Sequence, residues 1–184
     1  MGVYSKFNRP IVVVDYDPQW PSLFEKEKEA IIAALGSRFL MIEHIGSTAV
    51  PGLAAKPVID IAVGIKSLAD APVLIPRIEQ LGYRYEPTFE QLVPERRLFW
   101  KGTPMVHTYH LHLAQADHPV LVNPLQFRDY LRKHPEATAE YGVLKRELAN
   151  RCVQDMDAYV AGKTGFIVNI MLQIEQERKR HSAA

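Results

Sequence analysis

The chain has 184 residues, 47% hydrophobic and 23% charged, with a net charge of +1. That length accommodates one domain with a sizeable core, and that balance excludes a disordered chain. The near-neutral charge carries no strong nucleic-acid signal, and no apolar run approaches the ~18 residues of a membrane helix.

The elements follow in chain order. "IVVV" at 11–14 reads as a buried strand. In "DPQWPSLFEKEKEAIIAALG", Leu23, Phe24, Ile31, Ile32 and Leu35 give a helix a broad apolar face; Asp17 or Ser22 can cap it and Gly36 ends it. "FLMIEHI" at 39–45 and "PVIDIAVGI" at 57–65 read as strands, with Pro57 at a strand's first position. Ser67 caps a helix running to about Leu81, with Gly82 as its stop. Residues 96–102 and 106–115 read as two more strands around a "GTP" turn. After Asp117 the pattern becomes helical, divided by Pro135, and a last helical region from 156 carries Gly162 and Gly165 as weak points. The expectation is an α/β (α+β) mixed sheet with flanking helices, one domain over 1–184, with a mixed part at 1–116 and a helical part at 117–184. Cys152 is the only cysteine and the N-terminal stretch lacks a signal peptide's apolar core, so a cytoplasmic protein without membrane association is expected.

The chemistry concentrates in "EHIGSTAVPGLAAKPVIDIAVGI", residues 43–65. Gly46 and Ser47 leave one apolar strand, and Asp60 lies inside the next, between Ile59 and Ile61. Glycine lets backbone N–H groups approach an anion, and the backbone around Gly46 to Thr48 can hold one, with the Ser47 hydroxyl as a further donor. A carboxylate in an apolar run is costly unless it meets a cation or several donors. Lys56, just before that strand, can bring positive charge to the same place. The plainer alternative is a proline-rich connector whose Ser47 caps a turn and whose Asp60 bonds backbone amides.

The run "HIGSTAVPGLAAKPVIDI" resembles the signature of the GrpB family, and the resemblance extends to "HLHL" at 110–113, "FRDYLRKHP" at 127–135, "YGVLKRELA" at 141–149 and "YVAGKTGFI" at 159–167. It implies the nucleotidyltransferase fold of the DNA polymerase beta palm. That superfamily's motif is a hydrophobic residue, Gly, then Gly or Ser, and a dozen residues later Asp-hydrophobic-Asp/Glu. Ile45, Gly46, Ser47 and Asp60 match it, but Ala62 stands where the second carboxylate belongs. Active members hold two Mg²⁺ ions with those carboxylates and a third on a later strand; Asp60 alone cannot build that site.

Other residues can replace the missing ligand. His110 and His112, two apart in a strand, share a sheet face, and the resemblance places that strand beside Asp60. Asp60, His110 and His112, with His44 nearby as a fourth ligand, would suit Mn²⁺, Zn²⁺ or Ni²⁺ better than Mg²⁺. His107, His118, His134 and His181 read as surface residues. Arg96 and Arg97 alternate faces, so one of them can reach the anion site, and Arg97 stands among the candidates. Tyr159 and Lys163 share a helix face; the resemblance puts this helical part over a nucleotide, where the tyrosine would stack on a base and the lysine touch a phosphate. A core tyrosine with a snorkelling lysine is the alternative. Trp20 and Trp100 read as packing residues, and Cys152 as a buried thiol. Some members occur fused to dephospho-coenzyme A kinase, which points to a nucleotide or coenzyme A context.

The resulting expectation is a nucleotidyltransferase-like protein. Metal-dependent transfer of a nucleotidyl or phosphoryl group, centred on Asp60, stands ahead of a non-catalytic module that binds a nucleotide or phosphorylated small molecule.

Overall fold

Period-two alternation shapes a five-stranded sheet in the computed structural model, which describes residues 10–182, with side chains to 180. The strands are β1 (Met41–Ile45), β2 (Ile59–Ile65), β3 (Arg84–Tyr85), β4 (Arg96–Gly102) and β5 (His107–Gln115), in the order β1-β2-β5-β4-β3. The β2–β5 pair is parallel and the other three are antiparallel. Paired residues share a face, so the register sorts every side chain to one side of the sheet or the other.

One face is aliphatic. Ile59, Ile61 and Val63 of β2 lie with Leu111 and Leu113 of β5 and Phe99 of β4. Two helices, α1 (Trp20–Leu35) and α2 (Ala71–Glu79), cover them through Phe24, Ile31, Leu35, Leu74 and Ile78. Each such fully buried side chain contributes about 1.5–3 kcal/mol relative to exposure. The opposite face carries Asp60, Ala62, His110, His112, Leu98 and Trp100 and meets the helical part: α3 (Pro119–Lys133), α4 (Pro135–Cys152) and α5 (Met156–Ser182).

The helix boundaries follow local chemistry. Gly36 takes φ 61° and ends α1. At its start Asp17 Oδ1 accepts from Gln19 N at 2.8 Å, without capping the helix itself. Ser67 Oγ accepts from Ala69 N and opens a short 3₁₀ turn that runs into α2. Pro135 divides α3 from α4.

Two expectations change, and one strand, β3, was not anticipated. Residues 11–14 form no strand: Val14 makes an isolated bridge to Ala55, and Ile11 N donates to Val153 O at 2.9 Å. Ile11 instead packs against Leu148, Ala149, Met156 and Tyr159, because the burial this apolar run needs is supplied by helices. β3 is only two residues long, too short to show an alternation. Finally, α5 runs unbroken through Gly162 and Gly165. Gly162 is a contact point: a Cβ there would stand 2.3 Å from Leu148 Cδ2. Among the described residues no helix is long and apolar enough to cross a membrane.

Candidate functional site

Asp60 pairs in register with His110, and Ala62 with His112. The parallel pairing therefore delivers both imidazoles to the carboxylate. His110 Nδ1 lies 3.2 Å and His112 Nε2 3.5 Å from Asp60 Oδ1. Burial by itself would raise the Asp60 pKa; the hydrogen bonds from His110 and His112, and their charge, outweigh it and hold the carboxyl well below its ordinary range. An ionised carboxylate only accepts, so both ring nitrogens donate. Arg96 Nη1 donates to the other nitrogen of His112, Nδ1, at 3.3 Å. Burial lowers the His112 pKa, and the Arg96 guanidinium adds to that. His110 Nε2 meets His107 Nδ1 at 2.9 Å, and His107 stacks on Trp100 with ring centroids 4.4 Å apart. Gly46 makes room for the acid: at φ 72° its missing Cβ would stand 2.4 Å from Asp60 Oδ2.

This array forms one wall of a cleft of about 510 Å³. The helical part forms the other, and basic side chains fasten it to β1 and to the chain that leaves it. Arg128 Nη1 donates to His44 O and Glu43 Oε2, both at 2.8 Å; Arg132 donates twice to Ala49 O, at 3.0 and 2.8 Å; Lys145 Nζ donates to Ala54 O.

Among the described residues, three lysines line the cleft. Lys145, 2% exposed, has its ammonium 4.6 Å from the Tyr141 ring centroid, and Lys163 stands 4.5 Å from that of Tyr159. Lys56 lies over the same Tyr159 ring at 5.6 Å and donates to Met156 Sδ at 3.7 Å. Burial, then the neighbouring Lys163, Arg146 and Lys56, pushes the Lys145 pKa down to about 7. Burial and Lys56 bring Lys163 down to about 8, against the opposing pull of Asp60. Among the described residues the lining thus carries Lys56, Lys145, Lys163 and Arg96 against the single carboxylate of Asp60.

The other anticipated residues fall on both sides of the sheet. Ser47 is half-buried and lines the cleft with Gly46. The Thr48 hydroxyl points inward, donating to Val58 O at 3.2 Å and accepting from His44 Nε2 at 2.9 Å. His44 is not beside Asp60: it pairs with Ile61, so its ring lies on the aliphatic face, stacked on Phe24 at 4.8 Å, where burial lowers its pKa to about 4. Arg97 likewise pairs with Leu113 on that face and binds Pro94 O and Glu90; Arg96 is the arginine of the cleft. Tyr159 is 1% exposed and serves as floor under two lysines, which leaves little ring area for a base.

Three further histidines are not plain surface residues. His107 is buried, because the register slips where Tyr109 pairs with Lys101 but His107 with Gly102, and this turns its ring to the cleft side. His118 Nδ1 accepts from Val120 N at the start of α3, and His134 stacks on Tyr130 at 3.8 Å. The side chain of His181 lies outside the described residues. Lys145 did not stand among the candidates, although a signal was present: Tyr141–Lys145 repeats the i, i+4 spacing of Tyr159–Lys163.

The two-magnesium arrangement of the fold does not fit these residues. Ala62 is fully buried against Ile45, Ala114 and Leu121, so its position is sealed as well as uncharged. Asp60, His110 and His112 are near enough to share an ion, yet their nitrogens are directed at the carboxylate oxygen itself. Among the described residues no group of three or more His, Cys, Asp or Glu side chains is arranged to hold a metal.

The model of the GrpB protein family matches residues 10–173. The chain belongs to the GrpB family. It is 35% identical over 159 residues to the UPF0157 protein YqkA of Bacillus subtilis, covering 86% of this chain but 46% of YqkA, so it spans about half the length of that relative. A dephospho-CoA kinase of Mycolicibacterium paratuberculosis is 32% identical over 177 residues, 84% of this chain and 43% of the kinase. The crystal structure of GrpB from Enterococcus faecalis superposes with a TM-score of 0.82 at 36% identity, over 91% of this chain and 99% of that one. Terminal uridylyl transferase 4 of Trypanosoma brucei, with bound CTP, aligns over 90% of this chain and 52% of its own at TM-score 0.51 and 17% identity. This GrpB protein has a nucleotidyltransferase-like fold.

Proposed function

We propose that this GrpB protein binds a nucleotide or another phosphorylated small molecule in the cleft between the sheet and the helical part. The observation that carries the reading is the charge of the lining: Lys56, Lys145, Lys163 and Arg96 converge on one space with Asp60 as the sole carboxylate among the described residues. Buried ammonium groups that repel one another are costly, and an anion between them relieves that cost. A space of about 510 Å³ lies in the range of small-molecule pockets. The likeness of the fold to a uridylyl transferase with bound CTP agrees with this reading.

The test is a thermal shift against nucleotides, sugar phosphates and coenzyme A. A ligand at 100 times its Kd stabilises the protein by about 2.7 kcal/mol. If no phosphorylated compound raises the Tm while the protein remains folded, the reading fails.

Nucleotidyl or phosphoryl transfer to an acceptor is the second reading. It is favoured by the ionised Asp60 facing the cleft. Its weakness is physical: a carboxylate held so far below its ordinary pKa is a poor proton acceptor. Release of pyrophosphate from a nucleoside triphosphate by nucleotidyl transfer, or of the nucleoside diphosphate by phosphoryl transfer, measured with candidate acceptors present, separates transfer from binding alone.

A further inference from the structure

Two Tyr-Lys pairs of the same spacing, Tyr141–Lys145 on α4 and Tyr159–Lys163 on α5, aim into one cleft. Lys56 comes from the connector before β2 and shares the Tyr159 ring. The electronegative ring faces hold ammonium groups in place without neutralising them. The electrostatic neighbours of Lys145 are Lys163, Arg146 and Lys56, all cations. The described lining of the cleft therefore carries more positive than negative charge, with Asp60 drawing on Lys163 from the facing wall.

The facing wall is a poor host for a divalent ion. Asp60 Oδ1 already takes two imidazole donors, and Oδ2 lies against Gly46. Position 62 offers a buried methyl group. Mg²⁺ demands a near-octahedral set of oxygens and gives up its water reluctantly. Here it would find one carboxylate and would have to enter beside four cations. In two-metal sites the ions bring positive charge to a pocket made negative by carboxylates; here the protein supplies that charge itself.

We propose that Lys56, Lys145 and Lys163 hold the phosphate chain of a nucleotide in this cleft without a divalent ion, taking the place of the metal charge used elsewhere in this fold. This rests on the phosphate-binding reading above and specifies how the phosphates are held. Free nucleotide is then the ligand, and its Mg²⁺ complex binds less well because the ion cancels charge that the lysines would otherwise meet.

Calorimetric titration of the full chain with ATP and with inorganic triphosphate, in excess EDTA and again in excess Mg²⁺, tests this. The expected result is saturable binding in EDTA, weakened several-fold by Mg²⁺. Binding that appears only with Mg²⁺ overturns the inference and leaves the phosphate-binding reading intact. No binding of either probe in either condition, with nothing in the thermal-shift panel responding, overturns both. Lys163 is partly exposed, so Lys163→Met is expected to melt with the parent while losing at least tenfold in affinity for triphosphate in EDTA; Lys163→Arg, which keeps the charge, should lose much less. A folded Lys163→Met protein that binds triphosphate as the parent does also overturns the inference.

Discussion

Gly46 lies so close to Asp60 that a Cβ on the glycine would stand 2.4 Å from the aspartate's Oδ2. The glycine also takes φ 72°, a conformation that side chains resist. Gly46→Ala would strain the turn and push the carboxylate off its imidazole partners. The expected loss is about 1–3 kcal/mol of stability, read from urea unfolding. A parent-like midpoint would show that the carboxylate moves aside at no cost.

Asp60 is the common acceptor for His110 and His112. Asp60→Ala strands two half-buried donors and should destabilise by about 1–3 kcal/mol. Asp60→Asn keeps one acceptor oxygen and should fall between Ala and the parent. Denaturant midpoints in any other order would argue that these hydrogen bonds do not support the sheet.

Lys145 ties stability to pH. Its folded pKa of about 7 lies below the ordinary 10.5, so between these values the unfolded chain binds more protons than the folded one. Stability from this group therefore rises with pH across that window, by an amount on the order of a few kcal/mol at most. Lys145→Met should flatten this part of the stability–pH curve of the ligand-free protein. An unaltered slope would mean that the ammonium is solvated in the folded state.

An anion in the cleft should reverse that depression. Binding of triphosphate would raise the pKa values of Lys145 and Lys163 from about 7 and about 8, so protons are taken up on binding above neutral pH. Above neutral pH, calorimetric enthalpies should then vary with the ionisation enthalpy of the buffer, in the direction of proton uptake. Buffer-independent enthalpies at alkaline pH would place the anion away from these lysines.

Gly162 and Leu148 fasten α5 to α4. A valine at 162 would meet the fully buried Leu148 side chain, and Gly162→Val should cost about 1–3 kcal/mol through overpacking. Equal Tm values for variant and parent would show that Leu148 can rotate away freely.

The amino-acid order by itself determined the elements and the local partners. Alternating apolar residues marked β1, β2, β4 and β5, because a half-buried strand needs a period of two. Gly36, Gly82 and Pro135 marked boundaries that any tertiary setting would respect, since they act through the backbone of their own residues. The two-residue spacing of His110 and His112 put both on one face, and the Tyr-x-x-x-Lys spacing put each lysine over its own tyrosine.

Only the tertiary structure decided which face meets what. His44 and Arg97 were plausible site residues until the register paired them with Ile61 and Leu113, on the aliphatic side. A slip of one residue exchanges the two faces, and no local pattern encodes that slip; it also turned His107 inward. The run at 11–14 carried strand-like residues, but burial is satisfied by any apolar surface, and here the surface was helical. The meeting of Lys56, Lys145 and Lys163 spans more than a hundred residues of chain. Like charges have no attraction that would announce such a meeting in the sequence; packing of the helices on the sheet brings them together.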